Sequence, residues 1–217
     1  MPGPKGPGLR AFPPLQVILD VDAAAAAGWA VRDLLAAFLD GGAQCIQIRA
    51  KQLASGPLLE LCELAVTDAA PYRAAVIVND RADLAVLAHA AGVHVGQDDL
   101  APAAVRALVG PDAIVGYSTH TVEQVQAAVK EPVSYIAVGP VFGTRTKETG
   151  HDAVGLDFVA MAARLAAPLP VVAIGGVTLE NAASAIDAGA GAVAVISDLL
   201  VDRDVTGRTR AYLRRLA

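Results

Sequence analysis

Short apolar runs alternate with longer helical patterns along almost the whole chain. The apolar runs are rich in Val and Ile, and the segments between them repeat Leu and Ala at helical spacing. The predicted strands cover residues 16–20, 45–49, 75–79, 93–95, 113–116, 135–138, 171–174 and 192–196. The predicted helices cover residues 30–39, 57–70, 81–90, 102–109, 121–129, 156–165, 181–188 and 205–216.

This alternation predicts about eight strand–helix units, the number found in a (β/α)₈ TIM barrel. Continuous apolar strands are typical of a parallel sheet that is covered by helices. A doubly wound open sheet is the alternative, but no Gly-x-Gly-x-x-Gly motif opens the first helix. We therefore expect a single-domain α/β barrel over residues 13–217, preceded by a flexible leader over residues 1–12 that is rich in Pro and Gly.

Composition narrows the class of partner. Hydrophobic residues make up 54% of the 217 residues and charged residues 18%, which is enough for a sizeable core. The net charge of -5 argues against a general nucleic-acid binder, so any anion site must be local. The cysteines, Cys45 and Cys62, form no Cys-x-x-Cys pair, and apolar runs are too interrupted to span a membrane. We expect a cytoplasmic protein that binds neither nucleic acid nor membrane.

A long loop over residues 139–150 follows the sixth predicted strand. Its three glycines allow the backbone to approach a ligand closely. Thr144, Arg145, Thr146 and Lys147 provide hydroxyl and cationic donors, which suit phosphate oxygens. A solvated surface loop is the alternative. The length of the loop and its apolar flanks favour a functional lid.

Polar residues gather at the carboxyl ends of the predicted strands, where TIM barrels place their active sites. At the end of the second strand, the period of two directs Gln47 and Arg49 to one face and Ile48 to the other. Lys51 joins the first two if the chain stays extended. A Gln and an Arg inside a barrel are costly unless they meet a polar ligand or a charged partner.

Two aspartates follow neighbouring strands, Asp80 after the third and Asp99 after the fourth. Neighbouring strands lie about 4.8 Å apart, so the two carboxylates can converge on one hard cation. Mg²⁺ prefers one or two carboxylates together with phosphate oxygens and water. The alternative is that Asp80 and Asp98 cap helices, and we expect that role for Asp98. The basic residues nearby favour a metal–diphosphate site.

The ends of three further strands are also polar or glycine-rich. Ser118 and His120 follow the fifth strand, Gly175-Gly176 the seventh and Ser197 the eighth. The loops after the seventh and eighth strands commonly form the phosphate cradle of this fold. His94, inside a strand, is expected to have a core or surface role.

Together these motifs resemble the thiamine-phosphate synthase family, a (β/α)₈ barrel that uses Mg²⁺. In chain order they are Gln47-Ile48-Arg49-Ala50-Lys51, Val78-Asn79-Asp80, Gly96-Gln97-Asp98-Asp99, Tyr117-Ser118-Thr119-His120-Thr121, Gly139-Pro140-Val141-Phe142 with Thr144-Arg145-Thr146-Lys147, Ile174-Gly175-Gly176-Val177 and Val195-Ile196-Ser197. The resemblance implies transfer of a hydroxymethylpyrimidine group from its diphosphate to the nitrogen of a thiazole phosphate. The products would be thiamine phosphate and pyrophosphate, and a homodimer is the family-level expectation.

The resemblance also implies roles for individual residues. Asp80 and Asp99 would ligate Mg²⁺, and the catalytic residues would be Arg49, Lys51 and Lys147. The pyrimidine diphosphate would be held by Gln47, Arg49, Lys51, Asn79, Ser118 and Lys147. The thiazole phosphate would be held by Thr144, Thr146, Gly176, Ile196 and Ser197. The remaining predicted substrate contacts are Ile48, Ala50 and Arg145.

Two positions depart from the family pattern. Ala50 stands where the family commonly has Glu, and Gly143 stands where it often has Pro. Ala50 is expected on the face opposite Arg49, so we expect little loss of chemistry, and Gly143 is expected to loosen the lid.

The expected reaction is dissociative, with diphosphate leaving before the thiazole nitrogen attacks, and it needs no protein nucleophile. Two other functions remain open at this stage. The first is a thiazole tautomerase on a similar barrel, with His120 as its acid/base group. The second is a barrel that binds phosphorylated metabolites without catalysis.

Overall fold

A computed structural model describes residues 12–143 and 152–217, and it folds into a closed barrel of eight strands. Each strand pairs in parallel with its neighbour in sequence, and the first strand pairs with the eighth. The (β/α)₈ prediction is confirmed, and the open-sheet alternative is wrong because the ring closes. The strands are Leu15–Asp20 (β1), Cys45–Arg49 (β2), Ala75–Asn79 (β3), Gly92–Val95 (β4), Ile114–Thr119 (β5), Tyr135–Val138 (β6), Val171–Ile174 (β7) and Ala192–Val195 (β8).

Helices follow each strand and cover the outside of the barrel. They are Val21–Ala26 (α1), Val31–Asp40 (α2), Ser55–Ala69 (α3), Ala82–Leu87 (α4), Pro102–Val109 (α5), Val122–Ala128 (α6), Gly155–Ala166 (α7), Ala182–Asp187 (α8) and Val205–Leu216 (α9). Short 3₁₀ turns at Ala70–Tyr72 and Ser197–Leu200 complete the described elements. Helix α1 was not predicted from the sequence pattern. It begins after Asp20, whose carboxylate accepts a hydrogen bond from the backbone nitrogen of Ala23 at 2.9 Å.

Alternate residues of each strand enter two different apolar clusters. Outward residues such as Val17 and Ile48 pack against the helices in the larger cluster. Inward residues such as Ile18 and Ile77 fill the barrel interior in the smaller one. The period of two therefore decides which strand residues reach the inside, and at the carboxyl ends of β1 to β5 those inward residues are polar.

The interior contains a buried tyrosine at its centre, Tyr135 of β6, which is fully shielded from solvent. The ring of Phe12 packs against it with a centroid separation of 4.6 Å. Among residues 12–143 and 152–217, no helix has both the length and the apolar character needed to cross a membrane. The predicted leader, apart from Phe12, lies outside the described residues.

Candidate active site

A cavity of about 960 Å³ opens at the carboxyl ends of the strands. Its walls contain basic, acidic, amide and hydroxyl side chains from β1 round to β8. Of the residues predicted to form the site, the following line it: Arg49, Lys51, Asn79, Asp80, Asp99, Ser118, Gly176, Ile196 and Ser197. Residues that are far apart in sequence therefore meet in one place, as the strand-end pattern predicts.

Other predicted site residues do not reach this cavity or cannot be placed. Gln47 is buried inside the barrel, where its amide hydrogen-bonds the hydroxyl of Tyr135. The side chains of Ile48 and Ala50 pack in the cluster that faces the helices, so only their backbone groups remain for a substrate contact. Four predicted residues of the lid lie outside the described residues: Thr144, Arg145, Thr146 and Lys147.

Arg49 is fixed by an acidic partner that sequence analysis missed. Nη1 of Arg49 donates a hydrogen bond to Oδ2 of Asp20, which is its register partner across β1 and β2. Asp20 is 4% exposed, and both side chains line the cavity. A buried carboxylate against a guanidinium keeps the cation oriented, since Arg offers donors in a rigid plane. The sequence signal for this partner was an acidic residue, Asp20, at the last position of β1.

Asp80 and Asp99 are close enough to affect each other. The pKa of the Asp80 carboxyl is raised, first by burial and then by the negative charge of Asp99, while Lys51 opposes both effects. Nζ of Lys51 lies 3.4 Å from Oδ2 of Asp80. Asp80 has a left-handed backbone (φ 64°), and Oδ2 of Asp99 accepts a hydrogen bond from the nitrogen of Gly96 at 2.7 Å.

This pair of carboxylates fits a hard divalent cation. The negative charge of Asp99 disfavours the charged form of Asp80, and a bound cation would relieve that repulsion. Within residues 12–143 and 152–217, no cluster of three or more His, Cys, Asp or Glu side chains forms a ready metal site. The other ligands of a cation at Asp80 and Asp99 would therefore be substrate oxygens and water, as is common for Mg²⁺.

The expectation that Asp98 caps a helix is wrong. Helix α5 has Ala101 at its N-cap without a side-chain hydrogen bond, and Pro102 opens its first turn. Asp98 lies three residues earlier, in a turn that contributes to the cavity wall. Asp80 does not cap α4 either, because the N-cap of that helix is Arg81. Both aspartates remain available to the cavity.

The loop after β7 packs directly on the base of the long loop. Gly175 and Gly176 have positive φ angles of 95° and 65°. A Cβ on Gly176 would lie 2.4 Å from the carbonyl oxygen of Gly143 and 2.7 Å from that of Phe142. The backbone nitrogen of Phe142 donates to the oxygen of Gly175 at 2.9 Å. Glycine is thus required here by both conformation and space.

Two polar side chains that sequence analysis missed hold this candidate phosphate cradle. Asn181 donates from Nδ2 to the oxygen of Gly176 at 3.0 Å. Oδ2 of Asp198, next to Ser197, accepts from the nitrogen of Leu179 at 3.1 Å. The same oxygen accepts from Nη2 of Arg208 at 2.8 Å and from the hydroxyl of Tyr212. Asp198 therefore connects the loops after β7 and β8 to α9.

Two histidines reach the cavity. The Nε2 atom of His94 lies 2.8 Å from Oγ of Ser118, and the side chain is buried. Nδ1 of His120 lies 2.6 Å from the carbonyl oxygen of Gly139, at the start of the long loop. The core role expected for His94 is incomplete, because the ring also lines the cavity. The sequence signal that His94 points into the barrel was its position between Val93 and Val95, which face outward.

Fold and site together define a class, a (β/α)₈ barrel enzyme that acts on phosphorylated small molecules. Its mouth combines two paired carboxylates, two basic side chains and a glycine-rich cradle. The profile of the family described as thiamine monophosphate synthase matches residues 18–199. The chain belongs to that family.

Individual relatives agree with this assignment. A thiamine-phosphate synthase of Koribacter versatilis is 48% identical over 162 residues, which cover 75% of this chain and 76% of the relative. One from Roseiflexus sp. is 40% identical over 211 residues, covering 97% of this chain and 86% of the relative. The solved thiamine phosphate pyrophosphorylase of Pyrococcus furiosus superposes with a TM-score of 0.84 at 28% identity, covering 93% of this chain and 94% of that one.

Proposed function

We propose that this barrel transfers 4-amino-2-methyl-5-hydroxymethylpyrimidine from its diphosphate to the ring nitrogen of 4-methyl-5-(2-phosphoethyl)thiazole. The products are thiamine phosphate and pyrophosphate. The observation that carries the proposal is the meeting of Arg49, Lys51, Asp80 and Asp99 in one cavity with Ser118 on its wall. The family and the named relatives point to the same reaction.

The diphosphate of the first substrate binds beside the two carboxylates. Asp80 and Asp99 would hold Mg²⁺, and the charge of such a cation would offset the negative charge that grows on the leaving group. Arg49, oriented by Asp20, and Lys51, next to Asp80, face the same oxygens from β2 and the turn after it. Lys147 of the lid is proposed to add a third basic side chain.

Bond breaking and bond forming follow in that order. The bond between the methylene carbon and the diphosphate oxygen breaks, and its electron pair leaves with the diphosphate. The aminopyrimidine ring delocalises the positive charge left on the methylene. The lone pair of the thiazole nitrogen then forms the new carbon–nitrogen bond. Preorganised cations at the leaving group supply the stabilisation, since charge develops there in the transition state.

The protein contributes no covalent intermediate to this sequence. The two thiols are fully shielded from solvent, and burial raises the pKa of both Cys45 and Cys62 to about 12. Neither thiol is therefore a competent nucleophile near neutral pH. The nucleophile is the thiazole itself.

The second substrate is placed by its phosphate. We assign this group to the cradle formed by Gly176, Ile196 and Ser197, with Thr144 and Thr146 of the lid closing over it. Asn181 and Asp198 hold the cradle loops from behind. The space that a side chain at Gly176 would need is taken by the carbonyl oxygens of Gly143 and Phe142, so glycine lets the cradle loop pack directly on the base of the long loop.

The other two functions are not favoured. A tautomerase would use His120 as an acid/base group and has no need of Lys51, Asp80 and Asp99 at the same cavity. A binding barrel without catalysis would not need a leaving-group site. The relatives described above are named as synthases.

A product assay tests the proposal. The purified chain is incubated with both substrates and Mg²⁺, and thiamine phosphate and pyrophosphate are measured together. We expect equal amounts of the two products, and none when either substrate is omitted. Isomerised thiazole without pyrophosphate would indicate the tautomerase instead. Bound substrates without any product would indicate a binding protein.

A further inference from the structure

A chain of hydrogen-bonded side chains runs from the barrel interior up to the cavity. Nε2 of Gln16 lies 3.2 Å from the hydroxyl oxygen of Tyr135. That oxygen lies 2.8 Å from Nδ1 of His94, whose Nε2 lies 2.8 Å from Oγ of Ser118. Gln16, Tyr135 and His94 are all buried, and Ser118 is the end that lines the cavity.

The direction of the hydrogen bonds follows from the number of protons available. The hydroxyl oxygen of Tyr135 accepts a hydrogen bond from the amide of Gln16. The amide of Gln47 also forms a hydrogen bond with this hydroxyl, and that bond lowers the pKa of Tyr135, as a donated hydrogen bond does. A phenol has one proton, and the remaining partner for it is Nδ1 of His94. Burial raises the pKa of Tyr135, so the phenol keeps that proton near neutral pH.

Nδ1 of His94 therefore accepts, and the ring proton is on Nε2. Nε2–H then donates to Oγ of Ser118 at 2.8 Å. With one lone pair of the serine oxygen used, the hydroxyl proton turns toward the cavity. Each group therefore donates a hydrogen bond to the next one, from the glutamine amides through Tyr135 and His94 to Ser118.

We propose that His94 is a positioning residue that makes Ser118 a hydrogen-bond donor to the substrate. The inference rests on the proposed function, in which Ser118 faces the pyrimidine. A substrate ring whose nitrogen presents a lone pair to Ser118 would be accepted. A substrate ring that presents an N–H to Ser118 would be rejected, because two hydrogen-bond donors would face each other.

The sequence of β5 keeps space for this chain of side chains. A Cβ on Gly116 would lie 2.1 Å from Cζ of Tyr135, 2.3 Å from its hydroxyl oxygen and 2.5 Å from Nδ1 of His94. Any side chain at this position would separate the two rings. The rings themselves stack with centroids 5.5 Å apart and an angle of 24°. Glycine at this inward position is a second observation that the contact is built into the fold.

The tautomer of His94 can be measured without any turnover. Long-range proton–nitrogen NMR on the unmodified full chain, with labelled histidine, reports which ring nitrogen is protonated. The chain has four histidines, and a His94→Gln spectrum identifies the relevant signals. We expect Nδ1 of His94 unprotonated and Nε2 protonated. A proton on Nδ1 would overturn the inference, whether or not the proposed reaction is correct.

Kinetics test the consequence for the substrate. Tyr135→Phe keeps the ring and removes the proton that fixes His94, so we expect KM for the pyrimidine diphosphate to rise about tenfold, the effect of one lost hydrogen bond. KM for the thiazole phosphate should change by less than about twofold, because its assigned cradle is formed by the loops after β7 and β8 and not by β5. Tyr72→Phe, an exposed tyrosine bonded to Asp40, is the matched control and should match the unmodified chain.

A double variant separates a positioning role from a structural one. If Tyr135 and His94 act through Ser118, adding Tyr135→Phe to Ser118→Ala should raise KM no further than Ser118→Ala alone. Additive effects, or equal rises in both KM values, would overturn the inference. If the phenylalanine variant does not fold, the tautomer measurement on the unmodified chain still decides.

Discussion

Oδ2 of Asp20 accepts a hydrogen bond from Nη1 of Arg49, and the two residues are register partners at the ends of β1 and β2. Oδ1 of the same aspartate caps α1. One carboxylate therefore orients a predicted catalytic cation and begins the first helix. The aspartate holds the guanidinium toward the cavity, and because the pair is largely buried, removing either partner should lower both activity and stability.

Arg49→Ala should lower kcat/KM by roughly a hundredfold to a thousandfold, the usual effect of losing one group that stabilises developing charge. Asp20→Asn keeps a capping oxygen and loses the charge, so we expect a smaller loss of about tenfold. Steady-state kinetics and thermal unfolding measure both effects. Arg32→Ala, which breaks the exposed pair with Asp68 at 3.2 Å, is the control. Normal turnover in Arg49→Ala would contradict the assignment.

Gly176→Ala should weaken binding of the thiazole phosphate severely. The added Cβ would meet the carbonyl oxygens of Gly143 and Phe142, so the base of the lid would have to move. Gly28→Ala is the matched control: its φ of 73° is similar, and its nearest contact would be the flexible end of Arg203 at 3.7 Å. Both variants should lose about 1 kcal/mol of stability from the left-handed backbone. Equal KM values in the two variants would show that the clash is unimportant.

Asp198→Asn should raise KM for the thiazole phosphate and lower the free energy of unfolding. The change leaves the guanidinium of Arg208, 16% exposed, without its close anionic partner, at a cost of about 1–3 kcal/mol. Denaturant unfolding and KM for each substrate check the two effects. Asp202→Asn is the control, since this exposed carboxylate is 3.8 Å from the same arginine. A rise in KM for the pyrimidine diphosphate alone would contradict the assigned position of the cradle.

Both cysteines should resist thiol reagents in the folded protein. Burial raises the pKa of Cys45 and Cys62 to about 12, so very little thiolate exists at pH 8. We expect slow labelling of the native chain and fast labelling of both thiols in denaturant. Rapid labelling of one thiol under native conditions would show that the apolar cluster around that cysteine opens to solvent.

Much of the barrel follows from local patterns. Short apolar runs such as Ala75–Asn79, alternating with helical patterns, predict buried parallel strands, and the polar residues at the ends of those strands are then expected at the barrel mouth. Arg49, Lys51, Asp80 and Asp99 could therefore be found from sequence. The structure places all four at one cavity, and their roles there stay a prediction.

The supporting residues could not be found in this way. Asp20 and Asp198 function through partners 29 and 10 residues away, and only the register and the packing of α9 bring those partners close. The role of His94 depends on its hydrogen bonds to Tyr135 and Ser118. These three residues lie on three different strands, and only the folded barrel brings them together. Asp98 was misassigned because the helix begins later than the acidic turn. The homodimer expected from the family resemblance stays a prediction.

The proposed reaction depends most on the paired carboxylates of Asp80 and Asp99, which lie next to Lys51. Nζ of Lys51 is 3.4 Å from Asp80, whose pKa is raised by burial and then by Asp99, so the two aspartates form a site that favours added positive charge. The most direct test is the rate of pyrophosphate release at increasing free Mg²⁺, for the unmodified chain, Asp80→Asn and Asp99→Asn.

We expect no release in excess chelator and full recovery with Mg²⁺. Each variant should need at least about tenfold more Mg²⁺ for half of its maximal rate, because a unit charge next to the cation is lost. Asp68→Asn, on the outer surface, should behave like the unmodified chain. Release that continues in chelator, or an unchanged Mg²⁺ requirement in both variants, would contradict the account.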